Sequence, residues 1–310
     1  MRALAAWIMQ GRLQAVLVVS LATVAAFLLP PLTSPLSYLG SAAIALVTLR
    51  RGGREGFAVL ALALVAVTLA GQLAAGVGLW MAVTGALFWL PVWAAAWVLR
   101  ASVSWPLTLV GLTAAGLGIL AVLYLALGDP AEAWLHLLQR WMAGLPAESR
   151  TAALERVVQL MARWMSVLLV AAFETGVLLS LFLGRGWQAM LYNPGGLARE
   201  FERLRLGRSA ALATLGMGAL AALTRGGFAA WARDATLLLG LAWAVQGLAV
   251  VHAIRRRRGL HRGWLVLLYV LVLVAEPHAA FVLALLGWSD SWIDFRNRGV
   301  RRPGGDSEER

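Results

Sequence analysis

The sequence predicts an all-α fold: a polytopic transmembrane helix bundle of about eight spans, plus a proline-broken C-terminal segment. Three observations carry that prediction. Of 310 residues, 61% are hydrophobic and only 14% charged, a balance far from that of an ordinary soluble domain. The charged residues cluster between long apolar runs. The 27 basic residues are all Arg, and they crowd alternate connections, as short cytoplasmic loops do. The whole chain, 1–310, therefore reads as a single integral membrane domain.

Residues 1–12 carry Arg2 and Arg12 and mark a cytoplasmic start. Residues 13–29 make the first span. Pro30, Pro31 and Pro35 end it, because proline lacks the N–H a helix interior needs. Residues 36–49 are apolar but reach only about 21 Å as a helix. That falls short of a hydrocarbon core of roughly 30 Å, so this span leans on the proline loop before it. Arg50, Arg51 and Arg54 mark the inside again. Residues 56–75 go out, 79–99 return to Arg100, and 105–127 go out once more.

Residues 129–165 form an amphipathic insertion on the outer face. Asp129, Glu132, Glu148 and Glu155 balance Arg140, Arg150, Arg156 and Arg163 there. Pro130 and Pro146 each stand where a helix can start. Two short amphipathic helices are expected, the second running straight into the next span. Trp134, Trp141 and Trp164 suit the headgroup level.

Residues 166–183 return inside, to a basic cytoplasmic loop at 185–208. Residues 209–223 go out, and 235–254 return to the Arg255–Arg258 run. Residues 264–287 are interrupted by Glu276-Pro277-His278. A single crossing would carry Arg296, Arg298, Arg301 and Arg302 outside, against the charge bias. A re-entrant hairpin keeps them inside and fits better, provided protein surrounds its tip. The polar tail, 299–310, is expected to be disordered.

The stretch 147–184 organises this layout. Its first half places Leu154, Val157, Val158, Met161 and Trp164 at helical spacing. Its second half is apolar except for Glu174 and a few small polar groups. One helix then leaves water, enters lipid and carries a carboxylate to about mid-bilayer. Charge uncompensated in lipid costs a few kcal/mol or more, so such a group is a functional hypothesis in itself. Glu174, Glu276 and His278 are the deep ionisable groups, with Gln72 and Gln246 as neutral polar companions. Together they suggest a ligand-binding site inside the bundle. The structural alternative is hydrogen bonding between helices for Glu174, and satisfaction of carbonyls freed at Pro277 for Glu276 and His278.

Two further motifs suggest contact with lipid or a partner. In the 186–206 loop, Trp187, Tyr192 and Asn193 precede a Pro-Gly-Gly turn, and Phe201 follows on a short amphipathic helix. That helix suits anionic lipid or a docking partner. In 288–296, Trp288 and Trp292 lie four apart, as do Asp290 and Asp294, and Arg296 closes the motif. An aromatic face of this kind anchors a helix at a membrane surface.

The 184–196 run GRGWQAMLYNPGG, the acid- and Arg-bearing segment before it and the 286–296 run LGWSDSWIDFR resemble the YybS-like family of bacterial membrane proteins. The resemblance spans nearly the whole chain. That family is in turn similar to the substrate-binding S components of energy-coupling-factor vitamin transporters. The resemblance implies a helical bundle with a small-molecule pocket open to the outside. It also implies a coupling membrane subunit and a pair of ATPases as partners. It carries over no catalytic residues.

Other function classes find little in the sequence. Without cysteine, there are no disulfides or thiolate metal sites. Two acids and a His on separate spans do not make a metal motif. No Walker loop, dinucleotide fingerprint or nucleophile elbow occurs, so neither an enzyme nor a cofactor is expected. The Arg excess belongs to loops beside spans rather than to nucleic-acid binding. The leading expectation is a membrane-embedded small-molecule binding or transport subunit. The alternative is a non-transporting scaffold or assembly factor, acting through the 186–206 loop and the 288–296 tail.

Overall fold

The computed structural model describes residues 1–28, 35–261 and 263–296. Pro30, Pro31 and the 299–310 tail therefore lie outside the described residues. All regular structure among the described residues is helical. In chain order it comprises α1 (Arg2–Ile8), α2 (Arg12–Leu28), α3 (Leu36–Arg51), α4 (Gly53–Ala75), α5 (Gly78–Ser102), α6 (Trp105–Leu127) and α7 (Pro130–Ala143). After a short 3-10 turn, Ala147–Ser149, come α8 (Ala152–Tyr192), α9 (Gly196–Glu202), α10 (Gly207–Leu223), α11 (Gly226–Arg257), α12 (Gly263–Val274) and α13 (His278–Ile293).

Five of these helices, α4, α5, α6, α8 and α11, are long and apolar enough to cross a membrane. The pair α9–α10, bent by 57°, makes a sixth if the two are one span. Residues 40–49 of α3 are buried on every face. That burial accounts for a run so apolar and so short: α3 is wrapped by α2, α4, α5 and α8.

Local chemistry starts the helices. Asp129 caps α7 through the Ala131 N–H at 2.9 Å, with Pro130 at the first helical position. Ser104 caps α6, and Thr151 caps α8 through the Leu154 N–H. Pro146 does not open α8; the helix starts at Ala152, where Thr151 supplies a side-chain acceptor that proline lacks.

The α8 helix runs 41 residues, about 60 Å. It does not stop at Gly184, where the sequence suggested a loop. Glycine is tolerated inside a helix, and Asn193-Pro194 is the first strong stop. Gly184 serves instead for close approach: a Cβ there would stand 2.7 Å from the Ala45 Cβ and 2.8 Å from the Ala42 carbonyl oxygen on α3. Gly195, at φ +75°, makes the turn into α9.

The bundle has two ends. One carries α7, which packs antiparallel on the first half of α8 and donates from Trp134 Nε1 to Ser166 Oγ at 2.9 Å. The other carries α9 and most of the Arg side chains. There Arg12 pairs with Glu55 at 2.6 Å, and the Arg100 guanidinium donates to the Leu49 carbonyl. The C-terminal segment leaves this α9 end and returns to it. The α12 helix starts just after Arg257, and α13 runs beside α11 until Arg257 Nη1 donates to the Arg296 carbonyl at 2.7 Å. Gly247 and Gly287 let α11 and α13 touch backbone to backbone. A Cβ at Gly247 would stand 2.0 Å from the Leu283 oxygen, and one at Gly287 2.1 Å from the Trp243 oxygen.

Candidate functional site

Glu174 sits where α8 meets α6 and α11. Its residue is 2% exposed, and neither carboxylate oxygen has a hydrogen-bond partner. The carboxylate fills the hollow over Gly116 on α6: a Cβ there would stand 1.9 Å from Glu174 Oε1 and 3.0 Å from Leu238 Cδ2 of α11. Only glycine leaves room for the acid. One turn before Gly116, the buried Thr113 hydroxyl is also without a partner. Buried polar groups in proteins are usually paired, so spare bonding capacity at one spot calls for an explanation.

The other four residues of the expected polar site do not join Glu174. Gln246 is fully buried but committed: its Nε2 donates to the Gly287 carbonyl and its Oε1 accepts from the Leu206 N–H, each at 2.7 Å. Gln72 is exposed in the last turn of α4. Glu276 and His278 are exposed on either side of Pro277, in a segment whose α13 arm packs on α11 and α10. A surface hollow lined by His136, Gln139 and Arg140 and another lined by His261, Trp264 and Leu267 do not include Glu174. Among the described residues no three His, Asp or Glu gather as a metal cluster.

The residues expected to contact lipid or a partner divide in two. Trp187 is 1% exposed and belongs to the core between α1, α3 and α8, so it meets no partner in this conformation. Its indole faces inward because α8 continues as a helix through it. Arg296 is 4% exposed and acts as a latch: Nε donates to Asp290 Oδ2 at 3.0 Å, Nη1 to the Glu202 carbonyl at 2.5 Å and Nη2 to the Leu204 carbonyl at 2.7 Å. Burial lowers the pKa of this guanidinium, and Asp290 pulls it back up. Asp294 pairs with Arg205, and Trp288 Nε1 donates to the Ala211 carbonyl at 3.2 Å. Phe201 stands edge-on to Phe182 and His252. Tyr192, under the Arg50 guanidinium, Asn193, which accepts from Arg199, and Trp292 remain exposed. Beside the latch, Arg185 holds Glu200, whose Oε2 also accepts from Trp105 Nε1 at 3.1 Å.

Sequence reading missed one buried acid. Asp234 lies at the α7 end, 1% exposed, accepting from the Tyr124 hydroxyl of α6 at 2.9 Å and pairing with Arg233 at 3.3 Å. The span was expected to begin after it, at 235, because Arg225, Arg233 and Asp234 read as loop. The available signal was helical spacing: Trp231, Asp234 and Leu238 recur at three and four residues. Comparison with protein-family models, with curated proteins and with solved structures finds no match.

Proposed function

We propose that this chain is a membrane-embedded binding or transport subunit in which Glu174 holds a proton or a small cationic group. The observation that carries the reading is the missing partner. A carboxylate serving as glue between helices is hydrogen-bonded; this one is enclosed on three sides and bonded to nothing. Its two carboxylate oxygens are buried among the described residues, as an occluded site requires. In the orientation that goes with this reading, α2 to α6, α8, α10 and α11 make eight crossings of the bacterial cytoplasmic membrane. The Arg-rich α9 end is then cytoplasmic, and α12–α13 is a re-entrant hairpin. The sequence resemblance to the YybS-like family, itself similar to S components, suggests a coupling subunit with ATPases, docked at the cytoplasmic end.

Glu174→Gln keeps shape and most bonding capacity but cannot bind a proton, and Glu174→Leu removes both. The expected outcome is that both variants reach the membrane and fold, yet fail to rescue a deletion strain. Equal rescue by both would sink the reading. Orientation has its own check: a cysteine replacing Ser149 should react with an impermeant maleimide from outside, and one replacing Ala198 should not.

A scaffold role is the second reading. It is favoured by the latch at the α9 end, which orders the 196–206 segment and leaves Arg199 and Arg203 exposed. Under that reading both Glu174 variants rescue, and Arg296 variants do not.

A further inference from the structure

Three helix faces meet in a single seam above Glu174. On α6 it comprises Thr113, Gly116, Leu117, Leu120 and Tyr124; on α8, Trp164, Val167, Val170 and Glu174; on α11, Trp231, Asp234 and Leu238. Each set follows helical spacing of three or four residues. Between Glu174 and the α7 end, the seam is closed by Leu120, Val167, Val170 and Leu238, all buried in one cluster. Above that plug stand Asp234, Tyr124, Arg233 and Trp164, with Arg233 over the Trp164 ring at 5.2 Å. Asp234 and Leu238 are one helical turn apart, about 6 Å along α11. The buried Trp231 indole N–H has no partner, like the Thr113 hydroxyl and both oxygens of Glu174. The seam thus holds two buried acids on either side of a thin apolar plug, and spare bonding groups on both sides of it.

We infer that this seam is a proton route, in which Asp234 takes a proton from water at the α7 end and passes it through the plug to Glu174. This rests on the reading of Glu174 as a proton-binding group. A hydronium ion gives its proton to the Asp234 carboxylate, which forms an O–H bond and releases water. The second transfer runs along water admitted when the plug parts: it breaks that O–H bond and forms one on the Glu174 carboxylate, whose previous proton has left to water by the same path. Asp234 returns to the anion, which Arg233 balances. The groups facing Asp234 are Tyr124 from α6, Arg163 from α8 and Arg233 from its own helix, with Asp129 acting on Tyr124. Among the described residues no charged side chain bonds to Glu174; the nearby phenol of Tyr38, on α3, packs against Gly176. The plug parts when Leu238 and its neighbours change rotamer, and it keeps the route closed otherwise.

Infrared spectra of the full-length protein in lipid nanodiscs test the route. Wild type minus Glu174→Gln isolates the carboxyl C=O stretch of protonated Glu174. Transfer to heavy water shifts that band as the proton exchanges. Asp234→Asn should retain the band and slow its exchange about a hundredfold or more, the scale of a positioned proton-transfer group. Tyr124→Phe should slow it in the same direction, and it keeps the test alive if Asp234→Asn does not fold. Exchange that is unchanged or faster in both variants overturns the route, because a merely structural loss loosens the seam and admits water. A wild type with no Glu174 band across its titration range overturns the Glu174 reading and the route together. A normal band with unaffected exchange overturns the route alone.

Discussion

Two buried polar sites sit on the same bundle, and they are built differently. At the α9 end, the Arg296 guanidinium makes three hydrogen bonds, to Asp290 and to the Glu202 and Leu204 carbonyls, and Gln246 bridges Leu206 and Gly287. Only Asp290 Oδ1 is left over among those groups. In the seam, the side chains of Glu174 and Thr113 are as deeply buried and make no hydrogen bond. Burial is therefore alike at the two sites and satisfaction is not: a paired group stabilises the fold, while an unpaired one costs stability.

That contrast makes the two sites respond to substitution with opposite signs. The largest effect is expected for Arg296→Met, which strands Asp290 without its buried partner. It should cost about 3–5 kcal/mol, read as a lowered thermal midpoint of the purified protein, and free the 196–206 segment to proteolysis. Gln246→Leu should cost less, about 2 kcal/mol, because it leaves the Leu206 N–H and the Gly287 carbonyl unpaired but buries no charge. The same measurement would blur the comparison if either variant melted like the parent. The smallest effect, and the one of opposite sign, belongs to Glu174→Leu. Removing an acid with no partner should leave stability unchanged or raise it by about 1 kcal/mol. A loss as large as that at Arg296 would mean that Glu174 is structural, and the distinction between the two sites would collapse.

Much of this architecture was legible in the sequence. Hydropathy and 3.6-residue periodicity are encoded within windows of a single helix, so the apolar helices, the amphipathic α7 and the run of the amphipathic start of α8 into its apolar half could be read directly. So could the Asp129-Pro130 start and the break at Pro277. The isolation of Glu174 in an apolar span was equally plain. Tertiary structure alone decided which polar residues share a site. Tyr124 and Asp234 meet across 110 positions, and Glu174 finds its place over Gly116 because that residue has no side chain. Gln246, which looked like a companion of Glu174, is turned to α13 and the loop instead. Trp187 and Arg296, which looked like surface anchors, are drawn inside. Pairings of this kind depend on the rotation and register of helices packed against one another, and a one-helix pattern carries no information about the face its neighbour presents.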